Sequence, residues 1–111
     1  MKWKSNINIK DGFDLVIGNP PYVKARDNKN KFLRNYIEKH YKSAYKMWDL
    51  YVPFIEKSLS ILNKNGLISL IIPDTIGVAE YAYKIIELIE NNYNLKRINF
   101  FLIHSFLIML L

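Results

Sequence analysis

An α/β sheet of about three mostly parallel strands with crossover helices is the fold class that this 111-residue sequence predicts. Three observations point to it. Short apolar runs at 13–17, 67–72 and 95–101 have strand length and a high content of β-branched side chains. The stretches between them are long enough for crossover helices and carry apolar residues at helical spacing. Glycine, proline and asparagine clusters punctuate the ends of these runs. The length allows one domain at most, since a self-sufficient domain typically takes ~100–150 residues.

Taken in order, Asp11-Gly12 is a turn signal, and Phe13-Asp14-Leu15-Val16-Ile17 reads as a short buried strand. It stops at Gly18-Asn19-Pro20-Pro21, because consecutive prolines cannot donate to a ladder and bias the preceding residues away from helix. Polar residues 24–30 read as a loop, and Leu33, Tyr36, Ile37 and His40 then outline a short basic helix. Trp48, Tyr51, Val52, Ile55, Leu59 and Leu62 fall on one face of a second helix. An interior proline costs ~3 kcal/mol, so Pro53 either kinks that helix or lies in its first turn. Asn65-Gly66 stops it, and residues 67–72 form a strand buried on both faces, ended by Pro73. Asp74 or Thr75 starts the next helical segment. Ala82, Ile85, Ile86 and Ile89 mark a third helix closed by Asn91-Asn92, and residues 95–101 give the last strand.

Composition narrows the function classes. Hydrophobic residues make up 50% and aromatics 14%, too apolar for a disordered tail. The chain has no cysteine, which removes disulfides, zinc-thiolate sites and thiol nucleophiles together and favours a reducing, cytoplasmic compartment. No signal-peptide apolar region follows Lys2 and Lys4. The most apolar stretch, 100–111, is interrupted by His104 and Ser105 and falls short of the ~20 residues of a membrane span, so no membrane partner is expected. Lys24, Arg26, Lys29, Lys31, Arg34, Lys39, Lys42 and Lys46 face only Asp27 and Glu38, so the segment 24–46 accounts for the whole net charge of +6. That distribution suits either a solvated surface or a phosphate-facing strip. His40 and His104 have no partner at ligand spacing and read as structural.

The chemistry is concentrated where the first strand delivers Asn19-Pro20-Pro21-Tyr22 at its carboxyl end, the end at which ligands sit in parallel sheets. The Asn19 side-chain oxygen and the Pro20 carbonyl can each accept one N–H of an exocyclic amine, with the prolines fixing the carbonyl's direction. Tyr22 offers a flat face to the ring, a contact worth ~1–3 kcal/mol per base. An aromatic amine is a poor nucleophile because its lone pair is delocalised. Two acceptors on its hydrogens pull the nitrogen toward tetrahedral geometry and free that pair without a strong base.

Asn19-Pro20-Pro21-Tyr22 resembles the catalytic motif of the adenine-N6-specific DNA methyltransferases of restriction-modification systems, in particular those in which methylation and cleavage are fused in one chain. The resemblance continues through Asp49-Leu50-Tyr51-Val52-Pro53-Phe54-Ile55-Glu56, Asn65-Gly66, Leu67-Ile68-Ser69-Leu70-Ile71-Ile72-Pro73 and Tyr93-Asn94-Leu95-Lys96-Arg97-Ile98-Asn99-Phe100, covering residues 11–101 in order. It implies a partial Rossmann-like methyltransferase sheet, with S-adenosylmethionine as methyl donor and a flipped adenine in DNA as substrate. It also implies catalytic roles for Asn19, Pro20, Pro21 and Tyr22, with Asp14 as a loop-holding residue. The family's glycine-rich cofactor turn, the acidic residue after its second strand and a target-recognition domain are not in this sequence. Residues 1–111 therefore read as the carboxyl-terminal, catalytic-motif half of a methyltransferase domain, with 102–111 as a divergent or truncated tail.

Such a half is expected to be inactive alone and to need a complementing methyltransferase chain or subunit. Two other readings stand beside it. One is a protein glutamine-N5 methyltransferase fragment, since that class shares the tetrapeptide, although its Glu-Pro pair is missing here. The other is a non-enzymatic remnant that binds DNA or a partner chain through a sheet edge and the basic strip.

Overall fold

The computed structural model describes residues 12–93, 97–101 and 106–110. In chain order these form β1 (Phe13–Gly18), α1 (Lys31–His40), α2 (Tyr51–Ser60), β2 (Leu62–Pro73), α3 (Tyr83–Asn92), β3 (Arg97–Phe101) and β4 (Phe106–Leu110). Short 3-10 turns cover Ala25–Asp27, Asp74–Gly77 and Glu80–Ala82. The expectation of about three strands gives way to a four-stranded sheet of order β1-β2-β4-β3. β1 and β2 pair in parallel, with Leu15 opposite Leu67 and Gly18 opposite Leu70. β4 is antiparallel to both β2 and β3, so β3 points the same way as β1 and β2 although it pairs with neither. Sequence reasoning stopped short of β4 because residues 106–110 are an uninterrupted apolar run without alternation, which periodicity does not assign to strand or helix. Residues 102–105 and 111, the rest of the expected tail, lie outside the described residues, as does the stretch 94–96 at the start of the expected third strand.

The helices sit where the sequence places them, and their ends have identifiable causes. Asn30 caps α1, its side-chain oxygen accepting from the Leu33 N–H at 3.1 Å. Pro53 lies in the first turn of α2, where it has no N–H to leave unsatisfied. The neighbouring donors of that turn are taken by one residue: the Tyr51 N–H meets the Asp49 carboxylate at 3.3 Å and the Val52 N–H meets the Asp49 carbonyl at 3.0 Å. Trp48 and Leu62, read as part of the same helical face, lie outside α2. β2 already begins at Leu62, and residues 63–66 form an excursion between the pairings Phe13–Leu62 and Leu15–Leu67. The Asn63 amide donates to the Asp14 carboxylate there.

The core lies on one face of the sheet. Ile68, Leu70 and Ile72 of β2 pack with Tyr51, Val52, Ile55 and Leu59 of α2 and with Ile85 and Ile89 of α3. Both helices share this face because the chain crosses the sheet in one direction and parallel crossovers are right-handed. A smaller cluster of Ala25, Ile37 and Trp48 seats α1 and the loops around it. The expectation of strands buried on both faces is corrected: Leu15 is 57% exposed and Ile17 71%, with Leu67 and Ile71 also exposed. β1 is an edge strand, and among the described residues nothing covers the second face.

Candidate active site

β1 ends at Gly18, opposite Leu70, and delivers Asn19, Pro20, Pro21 and Tyr22 near the carboxyl end of β2. Pro20 is buried and anchors the turn, whereas Asn19, Pro21 and Tyr22 are exposed. The four predicted site residues are thus brought to one open strand end. The Tyr22 hydroxyl lies 2.9 Å from Asn19 Oδ1 and 2.9 Å from the Ile71 carbonyl, two acceptors for its single proton. In this state the Asn19 oxygen assigned to an incoming amine lies within bonding distance of the Tyr22 hydroxyl, whose other acceptor is the Ile71 carbonyl of β2. Sequence analysis assigns that hydroxyl no role, because a contact with a residue 49 positions away leaves no local signature.

Behind Tyr22 stands an aromatic series. Its ring meets Tyr51 edge-on, with centroids 6.1 Å apart, and Tyr51 meets Tyr81 in the same way at 6.1 Å. The Tyr51 and Tyr81 hydroxyls are 3.0 Å apart, and the Thr75 side chain also bonds Tyr51. Burial, followed by the Tyr81 hydrogen bond, pushes the Tyr51 phenol far above the ordinary tyrosine range. Burial and then the nearby Asp49 charge raise Tyr22 in the same direction. Thr75 is therefore engaged with the aromatic series, and the 3-10 turn at Asp74–Gly77 has Pro73 as its cap with no side-chain cap bond. His40 donates from Nδ1 to the Tyr36 carbonyl at 3.0 Å and stacks on Tyr36, a structural role as expected. His104 lies outside the described residues.

The exit from the motif is held by a residue that the site reasoning passed over. Asp49, 8% exposed, accepts from the Val23 N–H at 3.0 Å, while the Leu50 N–H bonds the Val23 carbonyl at 2.8 Å and the Ala25 N–H bonds the Trp48 carbonyl at 2.9 Å. Burial raises the Asp49 carboxyl above its usual range, and hydrogen bonds from Tyr51 and Val23 and the charge of Lys24 partly offset it. Beside this bridge, Lys24, Ala25, Arg26, Met47 and Tyr81 line a hollow of about 200 Å³. Among the described residues the ion pairs are Arg26–Asp27 at 4.0 Å and Lys46–Glu80 at 3.9 Å, both exposed. Most of the basic strip is therefore directed to solvent.

No helix among the described residues is long and apolar enough to cross a membrane, and no group of three or more metal-ligating side chains occurs there. The hollows near Tyr45 and Ile86, near Lys84 and Asn91, and near Lys24 and Tyr81 are lined without Asn19, Pro20, Pro21 or Tyr22.

Residues 1–106 match the profile of the Eco57I restriction-modification methylase family. The chain belongs to that family. Its relatives include the Type II methyltransferase M.BstVI of Geobacillus stearothermophilus, 34% identical over 96 residues, which are 86% of this chain and 17% of that protein. The Type II restriction enzyme and methyltransferase RM.Eco57I of Escherichia coli is 36% identical over 92 residues, 79% of this chain and 9% of that protein. The Type II methyltransferase M.PaeR7I of Pseudomonas aeruginosa is 34% identical over 88 residues, 79% of this chain and 15% of that protein. This member of the Eco57I methylase family thus spans a small part of the length of its curated relatives. The profile's match over residues 1–106 takes in the open strand end, the aromatic series and the core beneath them.

Proposed function

We propose that this chain carries the catalytic motif of an adenine-N6 DNA methyltransferase, with S-adenosylmethionine as methyl donor, a flipped adenine as substrate and the cytoplasm as its compartment. The observation that carries the reading is the placement of Asn19 and Tyr22 at the carboxyl end of an edge strand in a restriction-modification methylase family member. An entering adenine would take over the Asn19 Oδ1 bond from the Tyr22 hydroxyl and stack on the Tyr22 ring. With one amine hydrogen on Asn19 and the other on the Pro20 carbonyl, the nitrogen is turned toward tetrahedral geometry with its lone pair exposed. The methyl group comes from the cofactor, and no step of the amine's activation uses it.

The bare face of Leu15, Ile17, Leu67 and Ile71 supports the further reading that residues 1–111 act as half of a domain against a second layer, on the same or a complementing polypeptide. The test is methyl transfer from radiolabelled S-adenosylmethionine, with the chain alone and together with the portion of M.BstVI that precedes the matched stretch. N6-methyladenine in DNA, formed by the combination, is the expected product. Label in protein glutamine would favour the glutamine-N5 alternative, and no label in either case would favour a non-enzymatic DNA-binding or partner-binding remnant.

A further inference from the structure

We propose that Asp49 is a positioning residue for Tyr22: its carboxylate ties the backbone leaving the Asn19-Tyr22 turn to the helix start that carries the ring on which Tyr22 rests. The functional half of this inference depends on the base-stacking reading of Tyr22 given above. The geometry is a short chain of contacts. One oxygen, Asp49 Oδ1, accepts from the Val23 N–H at 3.0 Å and from the Tyr51 N–H at 3.3 Å. Val23 directly follows Tyr22, and Tyr51 presents its ring edge-on to Tyr22 at 6.1 Å. A single buried acceptor therefore links two backbones whose side chains form the Tyr22 platform. An extended bridge between Lys24 and Asp49 runs alongside and keeps the two segments antiparallel. Beside it the Leu50 N–H bonds the Val23 carbonyl and the Ala25 N–H bonds the Trp48 carbonyl, so the carboxylate completes a joint that backbone pairing begins. The role needs an acceptor of carboxylate shape rather than a proton donor or a nucleophile, so asparagine can fill it.

Amide hydrogen exchange on the full 111-residue chain tests the joint directly. The Val23 and Tyr51 amides should be protected in the wild type and in Asp49→Asn. In Asp49→Ala they should exchange about 10- to 150-fold faster, the range expected for losing a hydrogen bond to a charged group. The Ile68 and Leu70 amides of the sheet should be unchanged. An unprotected Val23 amide in the wild type, or Asp49→Asn behaving as Asp49→Ala, would overturn the proposal, and the first two measurements stand even if Asp49→Ala fails to fold. The functional half is read from the Kd for an oligonucleotide bearing one unpaired adenine. Tyr22→Ala and Asp49→Ala should each weaken it by roughly 5- to 150-fold. The double variant should be no weaker than either alone, and Asp49→Asn should match the wild type. Additive losses would show that Asp49 acts elsewhere. A Kd unchanged by Tyr22→Ala would remove the base-stacking reading, while the exchange data would still decide the joint.

Discussion

Tyr22 combines two roles that a tetrapeptide motif does not separate. In the proposed function its ring is the face offered to a base, and its hydroxyl lies within bonding distance of both Asn19 Oδ1 and the Ile71 carbonyl. Tyr22→Phe should therefore keep most of the base affinity while lowering stability by about 0.5–1.5 kcal/mol, the net worth of one hydrogen bond. Thermal melts and oligonucleotide titration check both numbers. Asn19→Ala should depress turnover of a complemented enzyme far more than DNA affinity, because in the proposed mechanism the acceptor acts on the amine as it attacks the methyl group. If activity instead falls only in step with melting temperature, the turn is structural and the clamp is wrong. Asn19, Pro20, Pro21 and Tyr22 could be singled out from sequence because proline rigidity and an adjacent acceptor and aromatic are local properties. Asp49 could not, because its function lies in reaching an amide 26 residues away.

At the scale of elements, the joints decide stability as much as the helices and strands do. Gly12 has φ +103° at the entry to β1, and a Cβ there would stand 2.6 Å from the Ile61 carbonyl oxygen. Gly12→Ala should cost more than ~1 kcal/mol, as expected for a left-handed position that also lacks room, and a denaturant titration reads it as a lower midpoint at unchanged slope. The loss belongs to the β1–β2 pairing, since the Phe13 N–H that follows bonds Ile61 at 2.8 Å. Helix positions were legible because α1, α2 and α3 carry apolar residues at helical spacing, with Asn30 and Pro53 at their starts. The burial of β1 was not, since Leu15 and Ile17 look like core residues whether or not anything covers them.

For the whole molecule, the charge segregation has a measurable consequence. Of the basic residues of 24–46, Lys24 and Arg26 stand at the exit of the motif and line the hollow beside Tyr81. Cations that meet phosphates release counterions, so DNA affinity should be low and fall steeply as salt rises from 50 to 200 mM. Fluorescence anisotropy over that range with two unrelated duplexes should give parallel lines. A salt-independent or strongly sequence-selective affinity would show that base edges are being read instead.

Sequence by itself determined the alternation of strands and helices, the proline-locked turn with Asn19 and Tyr22, and the concentration of charge in one segment. Each depends on near neighbours: apolar spacing, φ restriction by proline, and the count of ionisable groups. Tertiary structure alone decided the insertion of β4 antiparallel between β2 and β3, the one-sided burial of the sheet, the bond from Tyr22 to Ile71 and the joint at Asp49. These are pairings between distant parts of the chain, and which apolar run or backbone amide meets which partner is set by the packing of the whole rather than by any stretch of it.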